Sequence, residues 1–477
     1  MKALIMAGGF GTRLRPLTTH VPKPMVPMGN VPIMEHTVRL LRRHGFTDLQ
    51  ALLYFLPETI TGYFGDGSRF GVTLRYVTPT ADLGTAGAVK FALGSPAEPV
   101  LVISGDVLTD FDLAAAVAFH RDRRAEATMV LTRVQHPLPY GIVITDEAGR
   151  ITRFLEKPGW GEVFSDTINT GIYILEPSVF DAIPPHREYD FGKELFPALL
   201  AADRPLYGHV AEGYWRDVGD LTEYRLAHLD LLQGKLLVEI PGRRQLGMPH
   251  AVWLDDSAQV NPAAALRGAV LVGRGARVEA GCRITDSVIG PGAVVEEGAE
   301  VSGSVLWEDA RVGPGAVVKE AVVGRGATVR AKAFLAEGVV VGDFSKIGES
   351  STLKANVKVW PYKEVEDGAT LAVSLVWGER WSRALFGRYG VTGLANIEVS
   401  PEFASKLGAA FGASLGKRRA VITSRDHHKT SRMINRALMA GALSVGVDVQ
   451  DLGVAPIPVV RYQIPALGLA GGSHVRK

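Results

Sequence analysis

The sequence predicts an α/β domain with a mixed, mostly parallel sheet, followed by a parallel β-helix and then a short αβα-like segment. Three observations carry this reading. From Met1 to about Gly234, short apolar runs alternate with amphipathic helical patterns. Beyond them an aliphatic residue recurs at a six-residue step for more than a hundred residues. From about Trp377 the β/α rhythm returns. Alternating β and α elements build sheets with helices on both faces, and a hexapeptide period builds a stack of β-helical turns.

In the first zone, Leu4 to Ala7, Leu49 to Tyr54, Val100 to Ser104 and Ala127 to Val134 are continuous apolar runs of strand length. Pro32 to Arg43 and Asp112 to Arg123 carry apolar residues at three- and four-residue steps, the helical period. Ligands of such sheets sit outside the carboxyl ends of the strands. Gly8 and Asp106 each lie just past such an end.

In the second zone the aliphatics fall at Val260, Leu266, Val272, Val278 and Ile284 and continue to Leu371, with five-residue steps before Ile289, Leu306 and Val323. Small residues follow many of them, as in Ile289-Gly-Pro-Gly-Ala and Val323-Gly-Arg-Gly-Ala. One inward aliphatic per six residues with Gly or Ala at the corners fits a β-helix. An acyltransferase site on such coils would need a histidine, and none lies between Ala251 and Leu371.

Composition excludes several classes. Lys plus Arg number 52 and Asp plus Glu 50 in 477 residues, so no net charge draws nucleic acid or a membrane surface. The single cysteine, Cys282, excludes an intrachain disulfide and points to a reducing compartment. There is no apolar run of about 18 residues and no signal-peptide pattern at the start, so a cytoplasmic protein without a membrane segment is expected.

Gly8 to Pro24 read G-G-F-G-T-R-L-R-P-L-T-T-H-V-P-K-P. Glycines after a strand let the backbone approach a ligand, and Arg13, Arg15 and Lys23 add fixed positive charge, which suits a polyphosphate. The string is neither the dinucleotide fingerprint nor the P-loop, because its cations follow the glycines without a Gly-Lys-Ser/Thr. G-x-G-T-R-x-R-P-L-T followed by P-K-P resembles the signature of the sugar-1-phosphate nucleotidyltransferases. That resemblance implies a Rossmann-like catalytic domain joining a nucleoside triphosphate to a sugar 1-phosphate. It implies catalytic roles for Arg13 and Lys23, and nucleotide contacts for Leu4, Ala7, Gly8, Gly9, Gly11, Thr12, Arg13 and Asp106.

Such a transfer needs positioning and charge neutralisation more than covalent help. Asp106, in V-I-S-G-D, and Asp217, in Y-W-R-D-V-G, match the family's paired metal aspartates, and hard oxygen ligands suit Mg²⁺. Asp110 and Asp112 read as turn and cap residues. Leu83-Gly-Thr-Ala-Gly-Ala88 reads as a loop opening a helix, with Thr85 at its cap. It resembles the guanylyltransferase form, so Gly84, Thr85 and Ala86 are expected at the base and ribose of GTP. Tyr140-Gly141, Glu156-Lys157 and Asn169 with Gly171 resemble the sugar-phosphate pocket.

The β-helix pattern resembles left-handed hexapeptide β-helices, whose relatives commonly oligomerise, so a homo-oligomer is expected. Phe386 to Gly393, Ser400 to Gly412, Ala420 to Asp426 and Gly471-Gly-Ser-His474 resemble, in that order, the first domain of the α-D-phosphohexomutases. Ser473-His474 aligns with the phosphoserine loop, but Gly471-Gly472 and Val475 depart from it, so a vestigial or partial αβα domain is expected. The resulting division is a catalytic domain over 1–234, a linker over 235–250, the β-helix over 251–374 and the partial mutase domain over 375–477. The expected reaction joins GTP and mannose 1-phosphate. Glucose 1-phosphate with another triphosphate, or a non-catalytic regulatory subunit, are the alternatives.

Overall fold

Buried strands need apolar side chains on both faces, and the run after Met1 supplies them: Ala3, Leu4 and Ile5 have no exposure. The computed structural model describes residues 1–245, 251–376, 380–381, 385–387, 390–416 and 419–477. Trp377, Arg388, Tyr389 and the last five residues of the expected linker lie outside them. Two units result, Met1–Tyr362 with Thr370–Ser374, and Lys363–Ala369 with Leu375–Lys477.

In the first unit, β1 (Lys2–Ala7), β2 (Asp48–Leu53), β3 (Thr73–Val77) and β4 (Val100–Ser104) lie parallel in the order β4-β1-β2-β3. The other half of the sheet is β5 (Ala127–Arg133), β6 (Gly141–Thr145), β7 (Ile151–Glu156), β8 (Thr167–Leu175) and β9 (Leu206–Val210). β8 runs antiparallel to β4, β5 and β6, and β6 to β7. The sheet is therefore mixed, and the four strand candidates of the sequence all lie in it.

Helix α1 (Ile33–Arg43) buries Ile33, Met34, Val38 and Leu41, a stripe at helical spacing, and ends in Arg42 and Arg43, which suit the negative end of its dipole. Helices α2 (Gly84–Leu93), α3 (Leu113–Asp122) and α4 (Leu221–Leu232) follow. Asp112 caps α3 by accepting from the Ala115 amide at 3.0 Å, and Asp110 accepts from the Tyr214 and Leu237 amides, each at 2.7 Å. Asp112 is the cap expected, whereas Asp110 ties two distant segments together instead of closing a local turn.

The β-helix follows its period. Val278, Val295, Val312 and Val329 pair in one parallel ladder, and Ile284, Val301, Val318 and Leu335 in another. From Val272 to Leu371 the predicted inward residues are buried; Val260 and Leu266, in the first turn, are half-buried. The helix shares a core with the α/β part: Leu271, Val288, Trp307 and Val322 join Ala227 and Leu231 of α4. Tyr224 fastens this junction, donating to the Pro27 carbonyl at 2.6 Å and accepting from Trp307 Nε1 at 3.0 Å.

Two histidines at this junction, His36 and His228, are buried, with Nδ1 of one and Nε2 of the other unpartnered. Burial pushes the His228 imidazole down to about 4, His36 adding to the effect against the Tyr224 carbonyl. Below pH 6.5 the unfolded chain takes up a proton that the folded chain refuses until about pH 4. Stability should therefore fall as pH drops through that window, by about 3 kcal/mol from this residue. Urea titrations at pH 7 and pH 4.5 check this, and His228→Leu should flatten the dependence.

The second unit holds a three-stranded parallel sheet with Ala420–Arg425 at its centre, Asp448–Val454 on one side and Gly471–Val475 on the other. Its helices are Pro401–Leu415, Lys429–Ser444 and Ile457–Ala466. Gly408 and Gly441 bring the first two of these into backbone contact: a Cβ at Gly408 would lie 2.0 Å from the Leu438 carbonyl oxygen. Ser473 and His474 were expected in a loop. They instead occupy a strand, paired with Thr423 and Ser424, and their side chains bond to those residues at 3.0 and 2.7 Å. At Gly472 a Cβ would lie 2.7 Å from Ile422 Cγ2, so glycine permits the close approach there, and the β-branched Val475 suits the strand.

Candidate active site

The turn after β1 is shaped by Gly11, at φ 59°, where a Cβ would lie 3.0 Å from the Cβ of Lys23 and 3.1 Å from Thr18 Cγ2. Thr18 Oγ1 donates to the Gly11 carbonyl at 2.7 Å, so the glycine turn and the segment leading to Lys23 are locked together. Gly9 and Thr12 are exposed on this turn, Gly8 is half-exposed, and the Arg13 side chain is 65% exposed.

β4 delivers the first carboxylate, Asp106, whose Oδ1 accepts from Ser104 Oγ at 2.7 Å. A two-stranded ribbon delivers the second. Val107–Thr109 pairs antiparallel with Trp215–Asp217, and the register sets Asp217 across from Val107, one residue beyond Asp106. Both carboxylates converge on the buried ammonium of Lys23, at 2.6 Å from Asp106 and 3.2 Å from Asp217. Arg13 Nη2 stands 3.7 Å from the other oxygen of Asp217. Burial alone would lower the Lys23 pKa, but Asp106 and Asp217 outweigh it and hold it above its usual value. Burial would likewise raise Asp106; the charge of Lys23 and the bonds from Lys23 and Ser104 hold it below the usual carboxylate range. Arg13, Lys23, Asp106 and Asp217, read from three distant stretches of sequence, thus form one cluster.

The loop expected at the nucleotide, residues 83–88, is built differently from the expectation. Thr85 is not the cap of α2. Its amide and hydroxyl both donate to Asp190 Oδ1, at 3.1 and 2.9 Å, and its hydroxyl accepts from the Phe191 amide at 2.9 Å. Gly84 has φ 66°, and a Cβ there would lie 2.9 Å from the Tyr189 backbone nitrogen and oxygen. Gly84→Ala should therefore displace residues 187–190, cost about 2 kcal/mol of stability and raise the KM for the triphosphate. Initial rates and a urea midpoint on the purified variant check both effects. Leu4 and Ala86, expected at the nucleotide, have no exposure, and their side chains pack in the core with Val89 and Val102. Ala7 is 2% exposed at the end of β1.

Among the residues expected at the sugar phosphate, β6 and β7 set Gly141 opposite Glu156. A Cβ at Gly141 would lie 2.7 Å from Glu156 Oε2, and one at Gly192 2.6 Å from the same atom. The carboxylate is thus seated between two glycines, and burial, with Asp190 adding to it, pushes its pKa up against Lys157 and Lys193. Lys157 holds φ 47°, and its amide donates to the Tyr140 carbonyl at 3.2 Å. Asn169 is committed within β8: Oδ1 accepts from the Gly171 amide at 3.0 Å and Nδ2 donates to Tyr173 Oη at 2.9 Å. The Tyr140 ring meets Trp215 edge-on at 5.3 Å; burial and then Asp217 push its hydroxyl up to about 12.

Sequence reasoning missed Asp190, Gly192 and Trp215. Residues 187–192 join the loop at Gly84 and Thr85 to Glu156, and Trp215 joins Tyr140 to the ribbon that carries Asp217. Trp215 stood two residues from a chosen aspartate; nothing near Asp190 signalled its partner in sequence. Among the described residues no group of three His, Cys, Asp or Glu side chains is placed to hold a metal, so any ion here would rest on Asp106 and Asp217 and on non-protein oxygens. Among the described residues no helix is long and apolar enough to cross a membrane.

Residues 2–234 match the family described as nucleotidyl transferase. Residues 249–353 match the EIF2B subunit epsilon LbH domain, and residues 383–476 the alpha/beta/alpha domain I of phosphoglucomutase/phosphomannomutase. A mannose-1-phosphate guanylyltransferase of Mycobacterium tuberculosis is 39% identical over 289 residues, 60% of this chain and 79% of that protein. A UTP--glucose-1-phosphate uridylyltransferase of Synechocystis is 39% identical over 309 residues, 61% of this chain and 79% of that protein. A mannose-1-phosphate guanyltransferase of Schizosaccharomyces pombe is 41% identical over 230 residues, 47% of this chain and 62% of that protein.

Proposed function

The chain belongs to the nucleotidyl transferase family, and from that premise we propose that it transfers the GMP moiety of GTP to α-D-mannose 1-phosphate, giving GDP-mannose and pyrophosphate. The observation that carries the reading is the convergence of Asp106 and Asp217 on Lys23 beside the glycine turn and Arg13. Guanine and mannose are favoured by the names of the relatives from M. tuberculosis and S. pombe. The Synechocystis relative, equally identical, supports a second reading with UTP and glucose 1-phosphate.

In the proposed reaction a phosphate oxygen of the sugar 1-phosphate bonds to the α-phosphorus. The bond from that phosphorus to the bridging oxygen breaks, and pyrophosphate leaves with the electron pair. The glycine turn offers its backbone to the triphosphate, and Arg13, exposed beside it, neutralises charge that develops at the α-phosphorus. Lys23, free to exchange its carboxylate partners for phosphate oxygens, follows the charge toward the leaving group. Glu156 and Lys157 hold the sugar hydroxyls and its phosphate, and Tyr140 walls the pocket against Trp215.

Asp106 and Asp217 fit Mg²⁺: two hard carboxylates already converge on one positive charge, and that ion keeps the rest of its shell for water and phosphate. When bound, Mg²⁺ supplies neutralisation of the phosphate oxygens. Assembly through the β-helix and a cytoplasmic location belong to the same proposal, the latter supported by the single, buried Cys282.

The test is pyrophosphate release with Mg²⁺ from GTP, ATP, UTP and dTTP, each paired with mannose 1-phosphate and glucose 1-phosphate. Preference for GTP with mannose 1-phosphate supports the reading. Another preferred pair keeps the mechanism and changes the substrate, and no release from folded protein favours a regulatory subunit. Truncation after Ser374 should retain the activity, because the residues of the cluster and the β-helical residues that share a core with α4 lie within the first unit. A soluble, folded truncation without turnover would show that the second unit takes part.

A further inference from the structure

Arg13 also lines a cavity of about 280 Å³ whose opposite wall is the β-helix. Asp220 and Arg225 belong to its α/β side, and Val340, Asn356 and Lys358 to the β-helical side, all within the first unit.

Lys358 breaks a pattern. Along one parallel ladder Leu271 stands beside Val288, then Val305, Val322, Val340 and finally Lys358. The five aliphatics are buried in the core shared with α4. The sixth position carries a half-buried lysine instead, with no carboxylate in ion-pair range among the described residues. A lysine that ends an aliphatic column packs its stem there and leaves its ammonium to meet an anion at the rim. The rest of the cavity says which charge is missing. Arg225, anchored by the Gly303 carbonyl at 3.2 Å and by Glu320, lines it with Arg13 at the positive end of α4. The carboxylate on its wall, Asp220, is turned to the helix cap, accepting from the Thr222 and Glu223 amides at 2.9 Å.

We propose that Lys358, with Arg225 and Arg13, forms an anion pocket that takes the pyrophosphate end of the triphosphate and holds pyrophosphate as it leaves. The β-helix thereby supplies a binding residue to the reaction. This rests on the transferase reading, since it is that reaction which produces pyrophosphate.

Calorimetric titration of the full chain with inorganic pyrophosphate tests the pocket without requiring turnover. Lys358→Met continues the aliphatic column and should fold at least as well as the parent, yet bind pyrophosphate roughly tenfold more weakly. Lys358→Arg should restore binding. In the reverse reaction the KM for pyrophosphate should rise in Lys358→Met while that for the sugar nucleotide stays put. Unchanged binding in folded Lys358→Met, equal weakening in Lys358→Arg, or no pyrophosphate binding by the parent would each overturn the proposal. Parent protein that binds pyrophosphate through Lys358 but turns over no substrate pair would keep the pocket and remove the transferase reading.

Discussion

Asp217→Asn should lower turnover roughly a thousandfold while leaving the fold intact. The side chain keeps 23% of its surface and is polar at its contacts. Its work is electrostatic: one oxygen accepts from Lys23 at 3.2 Å and the other stands 3.7 Å from Arg13. An amide of the same shape keeps an acceptor for Lys23, so the local geometry survives, but it removes one of the two charges proposed to hold the metal. Steady-state rates with GTP and mannose 1-phosphate, set beside a urea midpoint, separate the two effects. A near-normal rate would sink the metal assignment. Asp112→Ala gives the contrast. It removes the α3 cap and should cost about 1 kcal/mol of stability with turnover unchanged.

The contrast also shows what could be read from the sequence. Asp112 was legible as a cap because capping is local: the carboxylate and the amide it serves lie three residues apart. The β-helix was legible for a related reason. Each turn repeats the same inward position, and the steps of five before Ile289, Leu306 and Val323 fall where those residues join the ladder with Val272. The pairing of Val107 with Asp217 is different. It spans more than a hundred residues, and no periodicity announces it; only the resemblance put the two aspartates in one site. Leu4 and Ala86 mark the opposite limit. Their side chains pack in the core, so any contact they make with a nucleotide falls to their backbone, and spacing alone does not separate packing residues from contacting ones. Thr85 was placed at the helix start correctly and given the wrong partner, because Asp190 reaches it from a loop far along the chain.

Lys23→Met should both destabilise the fold and abolish turnover, and the two losses should respond differently to Mg²⁺. The parent ammonium is buried and bonded to two carboxylates that keep 27% and 23% of their side-chain surface. Removing it leaves those carboxylates facing each other with only the exposed Arg13, 3.7 Å from Asp217, as counter-charge. Breaking a fully buried pair costs about 3–5 kcal/mol, and with this residual exposure the expected loss is about 2 kcal/mol. The pH range of the effect follows from the two shifts. Asp106, held below its usual value of 3.8, contributes above that pH and loses its contribution as pH falls. Lys23, held above 10.5, contributes below that pH and loses its contribution as pH rises through its folded value. The parent should therefore outlast the variant in urea across the whole neutral range, and the gap should close at acid pH. Millimolar Mg²⁺ should restore stability to Lys23→Met more than it adds to the parent, because the ion takes the place of the lost charge between Asp106 and Asp217. It should not restore turnover, since the cation that follows the leaving phosphates is gone. Equal stabilisation of both proteins by Mg²⁺ would mean that the two carboxylates do not share the ion.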